Sequence, residues 1–343
     1  MKKLRIAVVG CGGMARFYCK RYTQIEGAEL ALVIDSNLSA AEKIADSLGC
    51  AFSDRFEDAL APDIDVVDIS TPNFLHEFQA LSAIDSDKHV ILQKPLAPSI
   101  AEGEHILAAS NRTKRNVGMY MSMFNNPIMY DMKRLIAEGY LGEIEGVHCR
   151  NAHRGGLITP PGTWRGDLAK CGGGSFIQLA IHSIDAVQWL IGSEIQSVMA
   201  FSHNRMCKNI GGDDATAASC LFESGVLGTI ESSYCADRSY IGVYGTKGYF
   251  LFTNDVDLEV MIDTPFKGEV IEYDTPKAQR RYPVYSTLQQ YEHETPYDQS
   301  IAFVKAILEG KPAPVSVESG LRDLKIVKAV YESAATGMRM DVK

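Results

Sequence analysis

The chain has 343 residues, which at about 150 per domain points to two domains rather than one or four. With 46% hydrophobic and 22% charged residues it has the composition of an ordinary globular protein, which excludes long disordered tails. Its 43 acids against 34 bases give a net charge of −9, the wrong sign for a nucleic-acid-binding surface.

Met1-Lys2-Lys3 followed by an apolar run to Cys11 has the outline of a signal peptide, but the run is short, Arg5 interrupts it, and Arg16, Lys20 and Arg21 follow at once. It reads instead as a buried strand, Leu4 to Val9. Further strand runs are Leu30 to Ile34, Val66 to Ile69, Val90 to Leu92 and Val117 to Met121, alternating with helical stretches at Met14 to Ile25, Ala40 to Leu48, Leu75 to Ile84 and Ala101 to Ala109. Continuous apolar strands alternating with helices predict a parallel sheet covered on both faces, doubly wound by right-handed crossovers. The pattern changes at Asn125-Asn126-Pro127. A helix (Ile128 to Glu138) and a strand (Ile144 to Arg150) come next. A Gly- and Pro-rich loop over 151–174 leads to a helix from Ser175 to Leu190. From Ile195 to about Tyr273 short strands alternate with turns, among them Leu227 to Ser233, Ile241 to Tyr244 and Tyr249 to Thr253, which predicts a large, mostly antiparallel open sheet. Helices Tyr297 to Leu308 and Val317 to Thr336 close the chain. The expected fold class is therefore α/β: a Rossmann domain over 1–122 and an α+β domain over 123–343, with the closing helices packed near the first domain.

The eight cysteines form no CxxC and no Cys/His cluster at zinc-ligand spacing. They read as small buried thiols of a reducing compartment, and no metal is expected. No run approaches the roughly 18 apolar residues of a membrane span. The expectation is a cytoplasmic protein with no membrane or nucleic-acid partner.

Gly10-Cys11-Gly12-Gly13-Met14-Ala15 fits G-x-G-x-x-A between a strand and a helix, with Asp35 following at about the required 20 residues. Gly10 permits the tight turn, Gly12 lets the backbone approach a pyrophosphate, and Ala15 lets helix and strand pack closely; the helix N-terminus then meets the phosphates. Asp35 can accept from both adenine-ribose hydroxyls and repels a 2′-phosphate, and Ser36-Asn37 offers no cation to offset it. NAD is favoured over NADP.

These residues, with Ser70-Thr71-Pro72-Asn73, His76, Gln93-Lys94-Pro95-Leu96-Ala97, Gly139 to Ile144, Trp164-Arg165, Gly172-Gly173-Gly174, Ile181-His182-Ser183-Ile184-Asp185 and the closing Glu318 to Gly337 segment, resemble the Gfo/Idh/MocA oxidoreductases over nearly the whole chain. The resemblance implies oxidation or reduction of one carbinol of a sugar, inositol or related polyol in a cleft between the domains, and a homodimer or homotetramer formed through the C-terminal sheet. It makes Lys94 the acid/base beside the nicotinamide, in a setting that disfavours its ammonium form. The family's D-x-x-x-H becomes Gln178 to His182, on one helical face with Asp185. Gln178 can bond a hydroxyl but cannot take a proton, and Asp185 reads as a structural partner, with a carboxylate supplied from that face as the alternative. Gln93 stands for the family's glutamate, and Met123-Phe124 for its Arg-Phe. The candidate set is catalytic Lys94, His182 and Gln178; cofactor-binding Gly10, Gly12, Gly13, Met14, Asp35, Ser36, Thr71, Asn73, His76, Gln93, Lys94, Trp164 and Arg165; and substrate-binding Lys94, Arg154, Gln178 and His182, with His153 a further loop candidate. Two other readings stay open: cleavage or elimination of glycosides by transient oxidation on tightly held NAD, and a non-catalytic NAD-binding regulator.

Overall fold

A computed structural model of the chain describes residues 3–121, 126–253, 257–262, 271–272, 280–283 and 298–343. Met123, Phe124, the expected boundary at 122/123 and Tyr297 lie outside the described residues. Contacts divide the chain into two compact units, neither a single continuous stretch: Met1–Met121 with Ala169–Gly172 and Asp298–Leu324, and Ser122–Leu168 with Gly173–Tyr297 and Lys325–Lys343.

The first unit holds a six-stranded, all-parallel sheet of β1 (Leu4–Val9), β2 (Ala28–Ile34), β3 (Ala51–Ser53), β4 (Val66–Ile69), β5 (His89–Leu92) and β6 (Val117–Met119), in the order β3-β2-β1-β4-β5-β6. β4 is buried at every position and β1 over its last four, as strands covered on both faces must be. Helices α1 (Gly13–Tyr22), α2 (Leu38–Leu48), α3 (His76–Asp85) and α4 (Ile100–Ser110) make the crossovers. The winding reverses between β1 and β4, so a ligand crevice is expected at their carboxyl ends. β3 was not expected: three residues, largely exposed, carry no periodic signal, and pairing with β2 alone makes them a strand.

In β4, Asp68 is fully buried. It accepts from Tyr22 Oη at 2.9 Å and Ser70 Oγ at 2.8 Å, while the Tyr22 and Tyr120 hydroxyls lie 2.7 Å apart and Tyr120 meets Ser300 Oγ at 2.9 Å. Phe303 and Val304 join the same core as Ile6, Val8 and Val33, so a segment near the chain's end completes the first unit's interior.

The second unit holds a ten-stranded sheet in the order β14-β15-β13-β12-β11-β7-β10-β9-β8-β16. Its strands are β7 (Ile144–Ala152), β8 (Ile195–His203), β9 (Ala215–Phe222), β10 (Leu227–Ser233), β11 (Tyr240–Gly245), β12 (Gly248–Thr253), β13 (Asp257–Ile262), β14 (Ile271–Glu272), β15 (Arg280–Pro283) and β16 (Met340–Asp341). The sheet is mostly antiparallel, but β7 and β10 pair in parallel, Gly146 opposite Leu227. The long excursion between them allows this; a hairpin does not. Helices α5 (Pro127–Ala137) and α6 (Ile181–Ile191) pack together, and α6 also packs on β7. Along β8 burial alternates, leaving Met199 and Phe201 49% and 79% exposed.

The expected helix from Ser175 to Leu190 opens as a π-helix over Phe176–Ala180 and becomes α-helical from Ile181. A wider turn advances each residue by a smaller angle, so Gln178 and His182, four apart, come nearer to stacking than a uniform α-helix would bring them. Single π-turns inside helices recur at functional sites.

Candidate active site

The glycine turn is shaped by sterics. Gly10 has φ +97, and a Cβ there would fall 2.6 Å from the carbonyl oxygen of Ser70, so the turn after β1 closes on the turn after β4 only with glycine. A Cβ on Gly12 or Gly13 would meet nothing within 4 Å, so that side of the loop is open. Gly12 provides no side-chain cap for α1, whose first turn contains no acid. Its first N–H groups and the positive end of its dipole fit a pyrophosphate. Ala15 is 1% exposed inside the core, which is why a larger residue would hold helix and strand apart. Met14 continues the helix backbone. Arg16, exposed beside it, is a residue the motif does not single out. A cation in a first helical turn opposes the dipole, and that mismatch is itself a signal for an anion there.

Asp35 closes β2 half-buried, with Oδ2 accepting from the Cys11 N–H at 2.7 Å and Oδ1 from the Asn37 N–H at 2.8 Å. The carboxylate is thus fixed against the glycine turn; Ser36 beside it is exposed. Burial, with the Asp35 charge adding, pushes the Cys11 thiol up to about 12. That leaves it protonated and without nucleophilic character at neutral pH.

At the ends of β4 and β5 the remaining candidates interlock. Thr71 Oγ1 donates to Gln79 Oε1 at 2.6 Å, and Asn73 Nδ2 donates to the Cys171 carbonyl at 2.8 Å. His76 is fully buried between two carbonyls, Nδ1 2.9 Å from Pro95 O and Nε2 3.0 Å from Thr71 O. Burial holds the ring below its usual pKa, the Lys94 charge adding, although the carbonyls pull the other way. A neutral imidazole has one N–H, so it donates to one of these carbonyls at a time and ties the two strand-end loops together. Gln93 is buried beside the Tyr18 hydroxyl. Lys94 is half-buried, and the Lys94–Pro95 peptide is cis.

In the second unit Gly174 lies so close to Asp213 that a Cβ would fall within bonding distance of its backbone, and Gly173 packs on the Tyr331 ring. Asp213 closes the start of the π-turn. Its carboxylate accepts from the N–H groups of Gly174 and Phe176, each at 2.9 Å, and from Ser175 Oγ, Thr216 Oγ1 and Tyr331 Oη. Its carbonyl takes the Ser175 N–H. A Gly-Gly-Asp-Asp stretch reads in sequence only as a turn, so this support for Gln178 was invisible there. Gln178 is buried, His182 half-buried, and Asp185 buried on the same helix. Arg154 lies on an exposed turn, ion-paired with Asp237 at 2.5 Å. His153 caps that turn by accepting from the Gly155 N–H. The Arg165 guanidinium sits 4.4 Å over the half-buried Trp164 ring.

This strand order, an uncapped glycine turn at the switch point and an acid closing the second strand define a dinucleotide-binding Rossmann domain. Residues 4–121 match the oxidoreductase family with an NAD-binding Rossmann fold and residues 129–251 match the GFO/IDH/MocA C-terminal domain, and the chain belongs to the Gfo/Idh/MocA family of NAD-binding oxidoreductases. Over 262 residues it is 30% identical to a scyllo-inositol 2-dehydrogenase (NAD(+)) of Bacillus subtilis, covering 72% of each chain. Over 346 residues it is 24% identical to a 1,5-anhydro-D-fructose reductase of Ensifer adhaerens, covering 99% of this chain and 98% of that one. Its fold matches that of a levoglucosan dehydrogenase in complex with NADH and levoglucosan with a TM-score of 0.87, at 23% identity over 99% of this chain and 100% of that one. No helix among the described residues is long and apolar enough to cross a membrane.

Proposed function

We propose that the protein is an NAD-dependent dehydrogenase that acts on a carbinol or keto carbon of a sugar, inositol or related polyol, with Lys94 as its acid/base. The observation that carries this reading is the setting of Lys94: half-buried at the carboxyl end of β5, next to the reversal of the sheet, with the following Pro95 carbonyl held by His76. The inositol and anhydrosugar named for the relatives supply the substrate class. Bound NAD supplies the hydride acceptor. Oxidation of the carbinol requires its hydroxyl proton to leave as well, and the neutral Lys94 Nζ takes it; in reduction the ammonium gives it back. Gln178 accepts from and donates to substrate hydroxyls but carries no proton away. His182 orients the reacting hydroxyl. Arg154, held by Asp237, contributes to the substrate side from its exposed turn. The π-turn, fixed at its start by Asp213, carries Gln178 and leads directly into the α-helix that carries His182, and the two side chains offer the substrate two hydroxyl contacts. On the cofactor side Asp35, Ser36, Thr71, Asn73, His76, Gln93, Trp164 and Arg165 bind or frame the dinucleotide, and the fixed Asp35 carboxylate selects NAD over NADP.

Lys94→Ala is expected to lower turnover by on the order of 10²–10⁴ while leaving NAD affinity, read by fluorescence titration, largely intact. Full turnover in that variant would overturn the assignment of Lys94. Turnover that needs no added NAD and leaves no net NADH would instead identify the transient-oxidation chemistry. The reading extends to a cytoplasmic enzyme, which suits eight cysteines of which none is in a disulfide, and to a homodimer or homotetramer joined through the exposed face of the second unit's sheet.

A further inference from the structure

Independently of the catalytic reading, three side chains of the second unit bring metal-ligating atoms into one small space. Cys207 Sγ and Cys235 Sγ are 3.5 Å apart, and a carboxylate oxygen of Asp214 lies within 4.8 Å of both. The three come from separate parts of the chain: the turn after β8, the entry to β9 and the exit from β10. Antiparallel pairing sets Ala215 opposite Ser233 and so brings Asp214 and Cys235 to the same sheet end. Sequence spacing shows no zinc pattern here because the sheet, not a local loop, assembles the cluster.

The geometry suits a shared cation better than a disulfide. A disulfide holds its sulfurs about 2.05 Å apart. Two thiolates on one tetrahedral zinc, with bonds of about 2.3 Å, lie about 3.8 Å apart. Asp214 is already fixed in the way metal-bound carboxylates are. Its Oδ2 accepts the N–H groups of Arg205, Met206 and Cys207, and its Oδ1 accepts from His203 Nδ1 at 3.0 Å, which leaves Oδ1 a lone pair. Besides their contact with each other, the thiols make long S–H contacts, Cys207 with the Tyr234 carbonyl at 3.8 Å and Cys235 with the Asp214 carbonyl at 4.0 Å. Binding an ion replaces those two protons. Cys207 is 1% exposed and Asp214 fully buried, while Cys235 is half-buried and opens one side to solvent.

We propose that Cys207, Cys235 and Asp214 form a binding site for a thiophilic divalent cation of the zinc type, with water in the fourth position. Cys207 packs with Leu179, Ile210 and Tyr234, and Leu179 is the neighbour of Gln178 in the π-turn. The ion therefore staples the turn after β8 to the end of β10 directly behind that turn.

The test uses the full chain, reduced with a phosphine and stripped of metal. Titration with cobalt(II) is expected to give one ion per chain with a thiolate-to-cobalt charge-transfer band that zinc abolishes. Cys235→Ser should weaken zinc binding roughly tenfold or more and remove the zinc-dependent rise in melting temperature. An unchanged metal-free melting temperature in Cys235→Ser separates loss of a ligand from loss of the fold. Absence of the charge-transfer band at saturating cobalt, or equal zinc binding by Cys207→Ser/Cys235→Ser, would overturn the proposal.

Discussion

Asp35 decides more than its size suggests, because both of its oxygens accept from backbone N–H groups, so the carboxylate proposed to meet the adenine ribose is fixed in place. Asp35→Ser should cost NAD roughly 1.5–3 kcal/mol, the worth of hydrogen bonds to a charged group, and should relieve the repulsion of a 2′-phosphate. Fluorescence titration of wild type and variant with NADH and NADPH checks this; tighter NADPH binding by the wild type would contradict it. The glycine turn and its surroundings were legible at this scale, since Gly10, Ala15 and Asp35 each answer a steric or electrostatic demand that leaves a residue-type signature. What the residues around them do was not. His76 was readable as a motif residue, but its use as a tie between two carbonyls depends on burial no local pattern reports. Arg16 belongs to no motif, although its position in a first turn is electrostatically odd.

At the scale of elements, the clearest expectation concerns β4. Burial raises the Asp68 carboxyl to about 7, although Ser70, Tyr22 and Tyr120 hydrogen bonds favour its charged form. In the unfolded chain the same group titrates near 3.9. Between about pH 4 and pH 7 the folded state therefore binds the extra proton, so this group's contribution falls as pH rises through that window and stays low above it. Asp68→Asn, which keeps the shape and a hydrogen-bonding partner for the tyrosines, should raise the melting temperature at pH 8 and flatten the difference across the window. Melting curves of both proteins from pH 4 to 8 test it; identical pH dependence in the two would contradict it. The parallel strands and crossover helices were legible because apolar runs and helical periodicity survive in a single sequence. The π-turn was not, because apolar periodicity over five residues does not distinguish a wider turn from an α-helical one, and the Asp213 and Tyr331 contacts at its start come from distant parts of the chain. Nor was the parallel pairing of β7 with β10, which depends on a chain reversal far longer than any periodicity window.

For the whole molecule, composition pointed to two units, but their division was only partly readable, since segments at 169–172 and 298–324 join the first unit from a distance. The exposed sheet face bears on assembly. Met199, Phe201 and Leu227 are 49%, 79% and 60% exposed on strands whose other face is buried, an apolar surface of the kind a partner covers. Phe201→Glu is expected to shift the protein towards monomer in sedimentation velocity, with each monomer still binding NAD; an unchanged sedimentation coefficient would remove this face from the assembly. Direct hydride removal from a carbinol carbon is the step that defines the proposed activity. Its most direct test is incubation with NAD and a panel of inositols, hexoses and anhydrosugars deuterated at their carbinol carbons, followed by mass spectrometry of cofactor and product. Deuterated NADH formed in equal amount with a keto product is expected for at least one polyol, with loss of both in Lys94→Ala. Tight NAD binding with no deuterium in the cofactor across the whole panel would contradict it.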